Sequence, residues 1–175
     1  MLLRPGTPDD APHVAAIWHA GWCDGHFGVP DELVAAQNAR ILSGTCCGAV
    51  RDTTGAVVDG LVAGFIIVMG DEVEQIYVAA EHRGRGVAHL LLSAAEQRVA
   101  DDGFRDAWLA VVASNSRARA VYTRAGWTET PVARVQSVVR DGRRKTIFIP
   151  GELVGVRWAV AGLQGSLFET AAFGW

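Results

Sequence analysis

The chain has 175 residues, half of them apolar, and a net charge of −3. That is the size of one domain able to bury a core. The slightly acidic balance excludes a basic field for nucleic acid or for an anionic membrane.

Leu2 to Arg4 reads as a short first strand. Thr7-Pro8-Asp9-Asp10 then has the features of a helix start: a Thr cap, a proline in the first turn and two acids suited to the helix dipole. The helix is expected to run to about His19, with Val14, Ile17 and Trp18 on one side. A second helix is expected from Asp31 to about Leu42. Arg4, Asp9 and Asp10 interrupt the start, so no secretion signal is expected. The longest apolar stretch, Leu61 to Met69, is strand-sized and far short of the ~20 residues of a membrane span.

From residue 48 the pattern changes. Thr53-Thr54-Gly55 is expected to be a turn, followed by a Val- and Ile-rich strand region from Val57 to Val68 with Gly60 and Gly64 interrupting it. Met69-Gly70-Asp71 is a second turn. Glu72 to Val78 alternates, so Glu72, Glu74, Ile76 and Val78 are expected on one face and Val73, Gln75 and Tyr77 on the other. Leu91, Ala95 and Val99 recur at helical spacing within a helix from Val87 to Ala100, closed by Gly103. Ala107 to Val112 is a continuous apolar strand of the kind buried on both faces. Asn115 to Ala125 is a helix ended by Gly126. Arg134 to Val139 and Lys145 to Ile149 flank Arg140-Asp141-Gly142-Arg143, a hairpin signal. One α/β domain with a mixed sheet is expected over residues 1–150, leaving 151–175 as a tail with no assigned structure.

Three cysteines, Cys23, Cys46 and Cys47, are an odd number without CxxC spacing, which argues against a disulfide framework and against a zinc site; no metal is expected. Idle thiols fit a reducing cytoplasm.

The chemistry concentrates at Arg83-Gly84-Arg85-Gly86-Val87-Ala88, between a strand and the longest helix. A helix N-terminus offers unpaired N–H groups and a partial positive charge to phosphate. Glycines 84 and 86 permit close approach and positive φ, and Arg83 and Arg85 add charge-assisted donors. A Walker loop is absent. A dinucleotide fingerprint lacks its third glycine, which is His89, and the acid about twenty residues on, Asp106, opens a strand where a ribose contact needs one to close.

Arg83-x-x-Gly86-x-Ala88 matches the pattern [QR]-x-x-G-x-[GA] without a mismatch. A second block, Asn115-x-x-Ala118-x-x-x-Tyr122-x-x-x-Gly126-Trp127, follows about thirty residues later in strand-helix-strand-helix order. With Gln75-Ile76-Tyr77-Val78, these blocks resemble the GNAT family of N-acetyltransferases over roughly residues 2–149. The resemblance implies a three-layer GNAT-like fold with a mixed, mostly antiparallel central sheet. It implies acetyl-CoA as cosubstrate, held by Ile76, Tyr77, Val78, the loop 83–88, Asn115 and Tyr122. It makes Tyr122 the acid that protonates the leaving thiolate, and a backbone N–H near Val78 the partner of the developing oxyanion. Each residue also has a plainer reading, Asn115 as an N-cap only and Tyr122 as a core tyrosine only.

For the base, family members place a glutamate either eleven residues before the Q/R, which is Glu72, or nine before, which is Glu74; spacing does not decide between them. Each also suits an exposed strand-edge acid. The acceptor pocket is implied around Trp18, His19, Trp22, His26 and Phe27, with Val135 to Arg140; Trp18 and Trp22 are also at core spacing on a helix. A small-molecule primary amine is the expected acceptor in a direct ternary transfer. The alternatives are a protein N-terminus or lysine, or a non-catalytic acetyl-CoA-sensing module. A cytoplasmic protein, alone or as a homodimer, with no nucleic-acid or membrane partner, is the expected setting.

Overall fold

In the computed structural model, residues 1–25, 53–130, 137–138, 144–145 and 153–159 are described. Leu2–Pro5 (β1) leads through a 3-10 turn at Pro8–Asp10 into the helix Ala11–Gly25 (α1). Asp10 fixes this corner. Its carboxylate accepts two bonds from the Arg4 guanidinium, at 2.6 and 2.8 Å, and bonds at 2.8 Å from the Thr7 N–H and hydroxyl.

Thr53–Val58 (β2), Leu61–Met69 (β3) and Glu72–Val78 (β4) form an antiparallel meander, with β1 paired to β2 at its edge. Thr53-Thr54-Gly55, expected as a turn, is strand: Thr53 is buried and pairs with Ile67. The turn falls at Asp59-Gly60, where both residues take positive φ (51° and 84°), the geometry of a type I′ hairpin.

Beyond β4 come the helix Val87–Asp101 (α2), the strand Asp106–Val112 (β5), the helix Ser116–Arg124 (α3) and the strand Thr128–Thr130 (β6). The short strands Ser137–Val138 (β7) and Arg144–Lys145 (β8) pair antiparallel with each other, and the expected 140–143 turn lies outside the described residues. Leu153–Ala159 (β9), beyond the expected boundary at 150, inserts between β5 and β6 and pairs antiparallel with both. The sheet order is β1-β2-β3-β4-β5-β9-β6, with β4 and β5 its parallel pair. The fold is a mixed α/β sheet, mostly antiparallel, as expected. The helix expected over 31–42 lies outside the described residues.

The sheet has two cores. On one face α1 packs Val14, Ile17 and Trp18 against Val62, Phe65 and Ile67. On the other, Val87, Leu91, Leu92, Ala95 and Val99 of α2 pack with Ile66, Val73, Leu109, Tyr122, Trp127 and Val156. Each large apolar side chain buried this way contributes roughly 1.5–3 kcal/mol, so α2 is held chiefly by this stripe. Gly64 lets it sit close: a Cβ there would stand 3.1 Å from Val87 Cγ1 and 2.8 Å from the Tyr77 carbonyl.

Two expectations about strands need correction. In β5, Ala107, Leu109 and Val111 are buried but Ala110 is exposed, so the strand is covered on one face. In β4 the strict alternation fails. Val68 pairs with Val73 and Ile67 with Gln75, leaving Glu74 as the extra residue of a β-bulge. Val73 therefore shares the α2 face with Ile76 and Val78, while Tyr77 faces α1.

Candidate active site

β4 and β5 are parallel neighbours, yet they pair only at Glu72 and Trp108, reinforced by the Trp108 N–H donating to the Asp71 carbonyl at 2.9 Å. Beyond that bridge the strands part and the sheet opens between them. On the β4 side of the opening, the Ala79 N–H bonds back to Ala63 of β3 at 2.9 Å. Backbone groups alternate in direction along a strand, so the Val78 N–H and carbonyl face the gap.

The loop after β4 carries two positive φ values, 73° at Gly84 and 83° at Gly86. Gly86 is the N-cap of α2 and no side chain caps the helix. A Cβ at either glycine would meet nothing within 4 Å. These glycines are thus required by backbone conformation and leave open space above the uncapped N–H groups of Val87 and Ala88. That combination fits a pyrophosphate.

The two loop arginines differ. Arg83 turns back from the open face: its Nη1 donates to Asp24 Oδ2 at 2.6 Å and its Nε to the Val78 carbonyl at 3.4 Å. Arg85 is exposed, and among the described residues it makes no ion pair.

On the β5 side, α3 begins at Asn115, whose Oδ1 accepts the Ala118 N–H at 3.1 Å, so this asparagine is an N-cap. Tyr122 lies seven residues on and is buried among the α2-side core. Its position is fixed twice. Gly126, at φ 86°, closes α3 so that the Trp127 N–H bonds to the Tyr122 carbonyl at 3.0 Å. The Trp127 ring packs 6.4 Å from the Tyr122 ring, and its indole donates to Glu96 of α2 at 2.7 Å. Burial holds the Tyr122 hydroxyl well above the ordinary phenol range, so it stays protonated at working pH.

Glu72 stands at the closed end of the opening. Burial, then repulsion from Glu74 and Asp71, pushes its carboxyl up to about 7. That is the range in which a carboxylate can both take and release a proton near neutrality.

The α1 face supplies the remaining side chains. Trp18 is 8% exposed and its ring lies 6.3 Å from Phe65, so it is part of the core. Trp22 is half-buried against the same cluster. Tyr77 packs on Phe65 at 5.8 Å, and burial raises its hydroxyl above the phenol range, with nearby Tyr122 adding to the effect and Trp18 opposing it. Tyr77 thus lies on the α1 side while Ile76 and Val78 lie on the other. His26 and Phe27 lie outside the described residues, and of 135–140 only the strand Ser137–Val138 is described.

Sequence reasoning missed the residues that seat α1 on this site. A Cβ on Gly21 would run into the Tyr77 ring, and one on Gly25 would stand 3.0 Å from Asn115 Nδ2. A glycine inside a helix costs about 1 kcal/mol relative to alanine, and that cost is the signal that could have marked Gly21. Among the described residues no group of three or more His, Cys, Asp or Glu could hold a metal, and no helix is long and apolar enough to cross a membrane.

The model of the acetyltransferase (GNAT) family matches residues 14–127. No curated protein matches the chain in sequence. Among solved structures the fold is similar to that of the PaiA N-acetyltransferase of Thermoplasma acidophilum in complex with coenzyme A (TM-score 0.70, 14% identity, covering 90% of this chain and 98% of that one). It is also similar to YjaB of Escherichia coli in its apo form (TM-score 0.67, 18% identity, 89% and 95% covered). A third likeness is to yncA of Salmonella typhimurium with acetyl-CoA (TM-score 0.61, 19% identity, 99% and 98% covered). The split sheet, the glycine-rich loop over an uncapped helix and the family match lead to one conclusion: the chain belongs to the GNAT acetyltransferase family, and is an acyltransferase with acetyl-CoA as its cosubstrate.

Proposed function

We propose that the enzyme moves the acetyl group of acetyl-CoA directly to a primary amine of a small molecule, with Glu72 as base and Tyr122 as acid. The observation that carries this reading is the Glu72 carboxyl, half-buried at the closed end of the β4–β5 opening and shifted to about 7. An alkylammonium must lose a proton before it can attack, and a carboxylate with that value accepts one, directly or through water. Glu74 is the bulged residue beside it and adds to the repulsion that raises Glu72.

Acetyl-CoA supplies the activated acyl group. The Val87 and Ala88 N–H groups and the exposed Arg85 meet its phosphates, with Gly84 and Gly86 leaving room. The Val78 N–H faces the gap and meets the charge that develops on the carbonyl oxygen. The buried Tyr122 hydroxyl keeps its proton for the departing sulfur. Trp22, on the α1 side with Tyr77, gives the acceptor an apolar wall.

The test is thiol release from acetyl-CoA against a panel of small primary amines, with peptide N-termini and lysine peptides in parallel. Turnover on small amines at far lower concentration than on peptides is expected. Release only with peptides would move the acceptor to protein. Coenzyme A binding without release on any amine would make the chain a sensor.

A further inference from the structure

Asp24 sits in the last turn of α1, and Arg117 is the second residue of α3. Each is in the wrong place for its own helix: an acid at a C-terminus and a base at an N-terminus both oppose the macrodipole. They meet each other instead. Asp24 Oδ2 accepts from Arg83 Nη1 at 2.6 Å and from Arg117 Nη2 at 2.9 Å. One carboxylate thus joins three separate elements: α1, the glycine-rich loop and the start of α3. Arg83 carries the link further, to the Val78 carbonyl at the end of β4. The same end of α1 is pressed home by Gly21 on Tyr77 and Gly25 on Asn115. Both arginines hold the Asp24 carboxyl below the usual carboxylate range, Arg83 the more strongly, so the charge is in place at neutral pH.

We propose that Asp24 is a positioning residue for the cofactor loop, acting through Arg83 to hold the loop and the start of α3 at a fixed spacing across the mouth of the opening. Without it, two guanidinium groups face each other with no carboxylate between them, and the loop loses its tie to α1. The role concerns binding of the donor and not the chemical step, because Asp24 touches neither Glu72 nor Tyr122. The inference rests on the reading of the 83–88 loop as the pyrophosphate site.

The experiment measures the dissociation constant of coenzyme A by calorimetry, and KM and kcat for acetyl-CoA, in five variants: Asp24→Asn, Asp24→Glu, Arg83→Gln, the Asp24→Asn/Arg83→Gln double, and Gly86→Val. Expected for Asp24→Asn is about fivefold weaker coenzyme A binding with a matching rise in KM, and kcat within about twofold, the scale of a partly exposed charge network. Asp24→Glu should recover most of the affinity, and Asp24→Asn should add nothing in the Arg83→Gln background. Lower thermal stability with unchanged dissociation constant and KM would overturn the proposal, as would additive effects of the two substitutions. If Gly86→Val abolishes binding while Asp24→Asn does not weaken it, Asp24 loses its role and the loop keeps its own. If Gly86→Val leaves binding intact, the loop reading falls and takes this proposal with it.

Discussion

Glu72 of β4 and Trp108 of β5 are paired across the sheet at the last point before the two strands separate. Every residue of the candidate site is placed relative to that junction. The proposed base lies at it, the backbone of Val78 along one arm, and Asn115 and Tyr122 follow the other.

Glu72→Gln should lower kcat/KM by about 10²-fold or more at pH 8, the scale of losing a general base. The wild-type profile should rise with pH through about 7, where Glu72 ionises, and the variant should lack that limb. Glu74→Gln should keep it. Stability gives an independent check. Folding raises the Glu72 value from 4.5, so its stabilising share is complete below 4.5 and is lost as pH rises through about 7. Chemical denaturation should then show Glu72→Gln gaining on the wild type between those values. A rate profile with its limb intact in Glu72→Gln would assign the base elsewhere.

Tyr122→Phe should reduce kcat by roughly 10²-fold while leaving coenzyme A affinity within about threefold, because the ring still fills its place against Trp127. Steady-state kinetics together with calorimetry separate the two effects. Full activity would leave Tyr122 as a core residue only.

Gly86→Val should remove most coenzyme A binding. The residue has φ 83°, a conformation that costs a β-branched side chain about 1–3 kcal/mol. The added atoms would also occupy the open space over the α2 N-terminus. Isothermal titration measures the loss.

Gly21→Ala should destabilise the fold by about 1–3 kcal/mol through overpacking against Tyr77. Tyr77→Leu should relieve part of that cost, so the double variant should melt higher than additivity requires. Additive melting temperatures would show that the two do not meet.

Asp10→Asn should cost roughly 1–3 kcal/mol by leaving Arg4, which is partly exposed, with a neutral partner. The Arg4 bonds, chiefly, hold Asp10 far below its ordinary value of 3.8. Its contribution is full above 3.8 and is lost as pH falls below it, so the gap between wild type and variant should close in acid.

Much of this was legible in the sequence because it rests on local rules. The α2 stripe follows helical spacing, and Gly84 and Gly86 announce positive φ next to an open helix end. What could not be read was set by register or by distant partners. The bulge at Glu74 breaks a period-two pattern that the residues themselves present without interruption. Asp24, Gly21 and Gly25 acquire meaning only when α1 is laid on Tyr77, Arg83 and Asn115. Glu72 and Glu74 are alike by residue type; the register of β4 on β3, a tertiary property, sets Glu74 apart as the bulged residue. The strand at Leu153–Ala159 escaped because Gly155 interrupts its apolar run and its partners, β5 and β6, lie well upstream.

That strand has a consequence for how the protein is made. β9 supplies the neighbour of β5 and of β6, yet it is translated after both. Until residues 153–159 leave the ribosome, the arm of the sheet that carries α3 has an unpaired edge next to an apolar face, while β1 to β4 and α2 can already assemble. The 83–88 loop is thus complete in a nascent chain whose β5 arm is still open, and that interval is when unpaired strand edges invite association with other chains.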